Sequence, residues 1–355
     1  MKEVKQSPRQ EFFEFVVKEL QETAPLLSPE RSNQFGDYYG RMTRPVAYFL
    51  LAKLALNAEV YTNNNWTSGG RPDGKNLFFE VGGQRLNAWQ TVVAYCDSIT
   101  ASGYQLAPAY EDNFSVFNET SVENIFTIPM DKNFYTNQMQ YLFRSRHYNH
   151  AKAYGLSGEN GSSATREVLR TFGYDTDSLD TRFSKCYLNG DTVRLDTGEV
   201  LEYLPWLVDV DITGKSYEKV AGARMKKYAI DKTATKDGKL SDNDIVLFRY
   251  ADVLLMKSEA KVRNGESGDI ELNQVRSRVG MADRQATLEN LLAERQMEFA
   301  WEGWRRQDLV RFGLFTRAYS SRPQLPDESN GYTTVFPIPE NILLLNGNLT
   351  QNPGY

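Results

Sequence analysis

DNDIVLFRYADVLLMKSEAKVRNG, residues 242–265, followed by LNQVRSRVGM at 272–281, decides how this chain folds. Its apolar residues recur at the 3.6-residue period of an amphipathic helix. The first stretch predicts a helix over 242–264, with Asp242 or Asp244 placed to cap it and Gly265 to end it. A second helix follows over 269–279, closed by Gly280. Two helices joined by so short a connection must pack antiparallel, so the unit is a helical hairpin.

Working outward, the same period appears on both sides. A helix over 288–312 is expected to break near Gly303. Towards the N-terminus, Phe12, Phe13, Val16, Val17, Leu20 and Leu27 mark a helix over 10–27. Residues 43–61 form another, with Pro45 tolerated in its first turn. Ala47, Ala52, Ala55 and Ala58 there permit close approach of a neighbour. A helix over 88–102 stops at Gly103. Paired helices of this length predict a mainly α chain, a tetratricopeptide-like stack, although no clean 34-residue repeat is visible. Residues 104–241 break the pattern. Short β-prone or aromatic runs at 124–129, 182–188 and 203–210 alternate with Gly, Asn, Asp and Pro, which predicts a loop-rich insertion. The tail, from 335 to 355, is Pro- and Asn-rich and is expected to lie across the helices. All 355 residues read as one domain, with the scaffold at 10–103 and 242–320 and the insertion between them.

Composition narrows the function. A net charge of −5 argues against a nucleic-acid-binding surface. The two cysteines, Cys96 and Cys186, exclude a disulfide framework, and Cys96 falls inside a helical pattern where burial is expected. No apolar run approaches the roughly 18 residues a membrane span requires, and MKEVKQSPRQEFF is too polar for a secretory leader. Twenty Tyr, 19 Phe and 5 Trp leave aromatic rings to spare for a stacking surface.

Four stretches, in order, resemble the SusD/RagB family. They are FLLAKLALNAEVYTNNNWT at 49–67, RYADVLLMKSEAKVRNG at 249–265 with LNQVRSRVGM at 272–281, LLAERQMEFAWEGWRRQDLVRFG at 291–313 and FPIPENILLLNGNLTQNPGY at 336–355. The third fits ERxxEFxxEGxRxxDLxRxG at every fixed position. The resemblance implies a SusD-like helical fold and non-catalytic capture of an oligosaccharide or polysaccharide at the bacterial outer membrane. It also implies handover to a TonB-dependent, SusC-like transporter. Family members open with a lipoprotein signal peptide, a lipidated cysteine and a further helical region. The sequence is read as lacking that region.

The residues themselves are consistent with binding and offer no active site. Glu294, Glu298 and Glu302 stand at i, i+4 and i+8, about 5–6 Å apart on one helix face. Retaining glycosidases also hold two carboxyls close together, but on opposite sides of a bond. With Arg295, Arg305, Arg306 and Arg311 nearby, the ladder is read as an ion network that fixes helix packing. GGRPDGK at 69–75 fits GxxxxGK, yet Asn76 follows where a phosphate loop needs Ser or Thr. His147 and His150 lack a third metal ligand at suitable spacing, and no cofactor is called for. Asp209 and Asp211 are the one place where a structural calcium ion is conceivable. Trp66, Trp89, Trp301 and Trp304 are read as packing residues.

Residues 131–160 remain, where tyrosines alternate with amides, arginines and histidines. A sugar needs flat apolar rings for its C–H face and planar polar groups for its hydroxyls. Tyr135, Gln138, Tyr141, Arg144, His147 and Tyr148 are therefore the expected ligand contacts, with Tyr154 and Asn160 in the same segment. The rivals are a protein–protein scaffold, as helical repeats often are, and a glycoside hydrolase, which would need a carboxylate pair across an open cleft.

Overall fold

The computed structural model describes residues 4–355 apart from 69, 135–144, 189–191, 195–196, 210, 236–239 and 320–321. The N-terminal helices are α1 (Arg9–Thr23), α2 (Arg44–Leu56) and α3 (Ala58–Tyr61). The last two form the expected single helix, interrupted at Asn57. A hairpin of β1 (Phe78–Val81) and β2 (Gln84–Asn87) turns on Gly82 and Gly83, both at positive φ, as a two-residue primed turn demands. It leads into α4 (Ala88–Ala101), whose start is fixed by reciprocal bonds between Asn87 and Gln90.

The insertion contributes β3 (Asn124–Ile128), α5 (Tyr148–Ala153), α6 (Arg166–Phe172) and α7 (Phe183–Cys186). Two small ladders follow, pairing β4 (Tyr187–Leu188) with β7 (Arg224–Met225) and β5 (Thr192–Arg194) with β6 (Val200–Glu202). Then come β8 (Ile245–Arg249), α8 (Tyr250–Asn264), α9 (Asp269–Arg278), α10 (Leu288–Glu298), α11 (Arg305–Arg311) and, in the tail, α12 (Glu340–Leu345).

One expectation is corrected. The helix predicted over 242–264 begins only at Tyr250, because residues 245–249 form β8, antiparallel to β3. Ile245, Val246 and Phe248 are residues whose branched or flat side chains pack well on a pleated surface, and β3 supplies the partner. Asp242 and Asp244 do not cap. Asp242 accepts from the backbone and side chain of Lys132 at 3.0 and 2.8 Å. The buried Asp244 carboxylate accepts from Tyr39 (2.6 Å), Thr127 (3.0 Å) and the Met130 N–H (2.8 Å). Both acids therefore tie the insertion to the scaffold.

The chain is helix-rich, in keeping with a tetratricopeptide-like stack. Helix α8 is its centre, packed on α4, α9 and α10, with α2 against α4. Ala47, Ala52, Ala55 and Ala58 are buried at these contacts, as the sequence predicts for close approach, and Cys96 is buried with them. A second apolar cluster lies in the insertion around Phe114, Leu169, Phe172 and Phe183, reaching Met297 and Ala300 at the end of α10. Between α10 and α11 the chain turns through Trp301 and Gly303, with φ of 67° and 82°. Lys227 bonds the Glu298 and Ala300 carbonyls there at 3.1 and 2.8 Å, satisfying the free end of α10. At α11, Arg306 bonds the Thr333 and Thr334 carbonyls just before the tail and lies over Phe336 within it. Leu344 and Leu345 of α12 are 80% and 83% exposed.

Candidate functional site

The carboxylate ladder lies where the two apolar clusters meet. Glu294 and Glu298 are fully buried. Glu298 receives Arg182 at 2.8 Å, Arg249 at 2.6 Å and Arg278. Glu294 faces Arg182 at 2.7 Å and Arg276 at 2.8 Å, and Glu302 receives Arg249 at 2.8 Å together with Lys227. Burial works against the charge on Glu298, yet Arg278, Arg249 and Arg182 hold its carboxyl well below the usual range. A general acid needs a proton near neutral pH and a path to substrate, and Glu298 has neither. The sequence reading of an ion network stands, but its cations differ. They come from β8, α9 and the insertion, which spacing on one helix cannot show. Arg295 and Arg311 serve a neighbouring network with Asp252, Asp308 and Glu259. Arg305 bonds the Leu292 carbonyl at 3.0 Å, and Arg306 lies over Phe315 and Phe336.

The aromatic segment of the insertion is described at 131–134 and from Ser145 onward. Tyr135, Gln138, Tyr141 and Arg144 lie outside the described residues. His147 is 1% exposed, and its Nδ1 accepts from the Asn149 N–H at 3.2 Å, capping α5. His150 is buried one turn further on, with Nδ1 2.7 Å from the Tyr203 hydroxyl, which also accepts the His147 N–H at 3.1 Å. Burial, then the nearby Arg146 and His147, lowers the His150 pKa to about 4, and burial lowers that of His147 as well. Both shifts favour the neutral imidazole, and both rings are buried. Among the described residues there is no cluster of three His, Cys, Asp or Glu side chains able to hold a metal.

These buried rings carry two exposed ones. Tyr148, 55% exposed, lies against His147 with centroids 3.8 Å apart, and Tyr154, 44% exposed, lies 5.3 Å from His150. Beneath them Arg224 bonds the Ser145 and Gly161 carbonyls at 2.9 Å each, and Asn160 bonds the Arg146 and Glu218 carbonyls. The two tyrosines are thus flat, outward surfaces on an ordered base, the arrangement a sugar face requires. His147 turns inward and offers the surface nothing. Tyr203 and Arg224, which build the base, were missed by sequence reading because Tyr203 lies 53 residues from His150 and Arg224 79 residues from Ser145.

The remaining sequence signals have these contacts. In GGRPDGK, Gly74 is buried where a Cβ would come within 2.3 Å of Trp89, so its glycine serves packing. Asp209 accepts from Tyr217 and Asp211 from the Thr213 N–H. Trp89 is buried, Trp304 lies 4.0 Å from the Lys53 ammonium, and Trp301 packs on Tyr187. Trp66 lies beneath the Arg9 guanidinium.

Comparison with known proteins follows the same lines. Residues 100–355 match the pattern of the SusD family. The starch-binding protein SusD of Bacteroides thetaiotaomicron is 33% identical over 139 residues, covering 37% of this chain and 25% of that protein. The matched stretch thus spans a quarter of that curated relative. A SusD-like protein from Bacteroides fragilis superposes with a TM-score of 0.71 at 19% identity, over 100% of this chain and 73% of that one. Surface glycan-binding protein A from Bacteroides thetaiotaomicron, in complex with laminarihexaose, superposes at 0.60 and 23% identity, over 96% of this chain and 70% of that one.

Proposed function

The chain belongs to the SusD family, and on that premise we propose that it binds an oligosaccharide without chemically changing it. In this reading it acts as one domain at the surface of the bacterial outer membrane and passes its ligand to a TonB-dependent transporter. The observation that carries the reading is the pair Tyr148 and Tyr154, exposed on a base of buried His147, His150 and Tyr203. The names of two relatives support the ligand class, since one binds starch and another was solved with laminarihexaose. Support for a non-catalytic role comes from the carboxylate ladder, whose acids are held by arginine and lysine. No metal or cofactor enters the proposal. Tyr135, Gln138, Tyr141 and Arg144 belong to the same proposed ligand face by their place in the sequence. Among the described residues no helix is long and apolar enough to cross a membrane.

Isothermal titration with laminarihexaose and maltohexaose, preceded by a glycan-array screen, tests the proposal. Binding of a neutral oligosaccharide, with no release of reducing ends, is the expected result. Silence across the array would leave the protein–protein scaffold as the better reading.

A further inference from the structure

A cleft of about 430 Å³ lies away from the insertion, between the start of α1, the loop after α3, the end of α11 and the tail. Arg9, Arg71, Trp66, Asn63, Phe315 and Asn330 line it. Among the described residues that line it, none carries a carboxylate, although the chain as a whole has a net charge of −5. The acids closest to it in sequence are engaged elsewhere. Glu59 accepts from the Gly74 N–H at 2.9 Å, and buried Glu328 is held by Arg322, the Leu325 N–H and Thr333.

Arg9 lies over the Trp66 ring, 4.9 Å from its centroid, and donates to the Asn63 carbonyl. Arg71 donates to the Arg311 and Val310 carbonyls at 2.8 and 2.7 Å. Neither guanidinium is in ion-pair contact with a carboxylate among the described residues; burial presses on both, Arg71 adds to the pressure on Arg9, and Arg71 itself is repelled by Arg263 and partly offset at longer range by Glu59. Arg9 Nε and the Trp66 indole N–H are buried without a hydrogen-bond partner. One part-buried cation, a second that is exposed, and two orphaned donors around an apolar floor suit an anion that also presents an apolar face. On the rim the exposed Asn330 amide suits a hydroxyl, whereas the Asn63 amide is buried and bonded to the Gly70 carbonyl and the Asn65 N–H.

We propose that this cleft binds the carboxylate of a uronate-bearing oligosaccharide. A sugar acid combines the three features the lining asks for: a planar anion for guanidinium, a C–H face for an aromatic ring, and a hydroxyl for the Asn330 amide. The volume lies within the usual range of small-molecule sites, about 300–1,000 Å³. The proposal rests on the glycan-binding reading but uses a site separate from Tyr148 and Tyr154.

The test is isothermal titration of the full chain with tetragalacturonate, its methyl ester, an alginate-derived tetrauronate and laminarihexaose. At least one uronate should bind, with affinity falling as sodium chloride is raised from 50 to 300 mM, and the methyl ester should bind at least tenfold more weakly than the acid. Arg9→Gln should weaken uronate binding at least tenfold and leave laminarihexaose unchanged, and Arg9→Lys, which keeps the charge without the fork, should fall between. Trp66→Phe should weaken it severalfold by removing the indole N–H. Equal binding of acid and ester, full uronate affinity in Arg9→Gln, or preference for a sulfated oligosaccharide or a peptide carboxylate would each overturn the assignment. Laminarihexaose binding with no uronate binding would defeat this inference alone. Failure of every sugar would defeat the glycan reading with it.

Discussion

Replacing Glu298 by glutamine keeps the shape of the side chain and removes one buried negative charge from the point where three guanidinium groups converge. Arg182, Arg249 and Arg278 are all nearly fully buried and all bond that carboxylate. Each retains a second acid: Asp180 and Glu294 for Arg182, Glu123 and Glu302 for Arg249, and Glu123 for Arg278. The cluster is therefore left with one uncompensated cation, and the new amide turns N–H groups towards donors. Removing one partner of a buried ionic group costs about 3–5 kcal/mol. Unfolding entropy of about 2.1 cal/mol/K per residue gives about 0.75 kcal/mol/K for 355 residues. The melting temperature should therefore fall by about 4–7 °C, read by differential scanning calorimetry. A second change, Arg278→Gln, removes the surplus cation and should recover at least about 1 kcal/mol of that loss in a double-mutant cycle. A Glu298→Gln protein that melts within 1 °C of the parent would refute the argument. If it also lost a hydrolytic activity present in the parent, the ladder would be an active site.

Four shorter expectations follow from the same geometry. Tyr148→Ala and Tyr154→Ala should each weaken oligosaccharide binding about five- to tenfold, from roughly 1–1.5 kcal/mol per aromatic contact. Their melting temperatures should stay within a few degrees of the parent; unfolding instead would mean that the rings are anchors. The parent should release no reducing ends from a panel of polysaccharides, and EDTA should leave its oligosaccharide affinity unchanged; a drop on chelation would point to a cation at Asp209 and Asp211. Burial raises the Asp244 pKa from 3.8 to about 6 in the folded chain. The folded state therefore keeps a proton that the unfolded state has lost, and this contribution to stability is fully present below about pH 4 and disappears as pH rises through 6. Asp244→Asn should flatten that slope in urea titrations between pH 4 and 6, and an unchanged slope would exclude Asp244 as its source. Glu259, held at about 2, acts with the opposite sign, its contribution being lost only below about pH 4.5.

What was legible in the sequence was local. Helix positions, the Asn57 interruption aside, follow from a 3.6-residue period that each segment carries within itself, and Pro45, Gly265, Gly280 and Gly303 mark ends and the break by their own backbone constraints. The family signature is local too, since its fixed residues lie within single segments. Tertiary structure alone decided the rest. Residues 245–249 became a strand because β3, more than a hundred residues earlier, offered unpaired backbone groups that had to be satisfied. The partners of Glu298 were invisible because an ion pair depends on distance in space, and Arg182 and Arg249 reach it from other elements. His147 and Tyr148 are neighbours in sequence, yet one ring is buried and the other exposed, because the helix they begin turns one face to Tyr203 and the other to solvent.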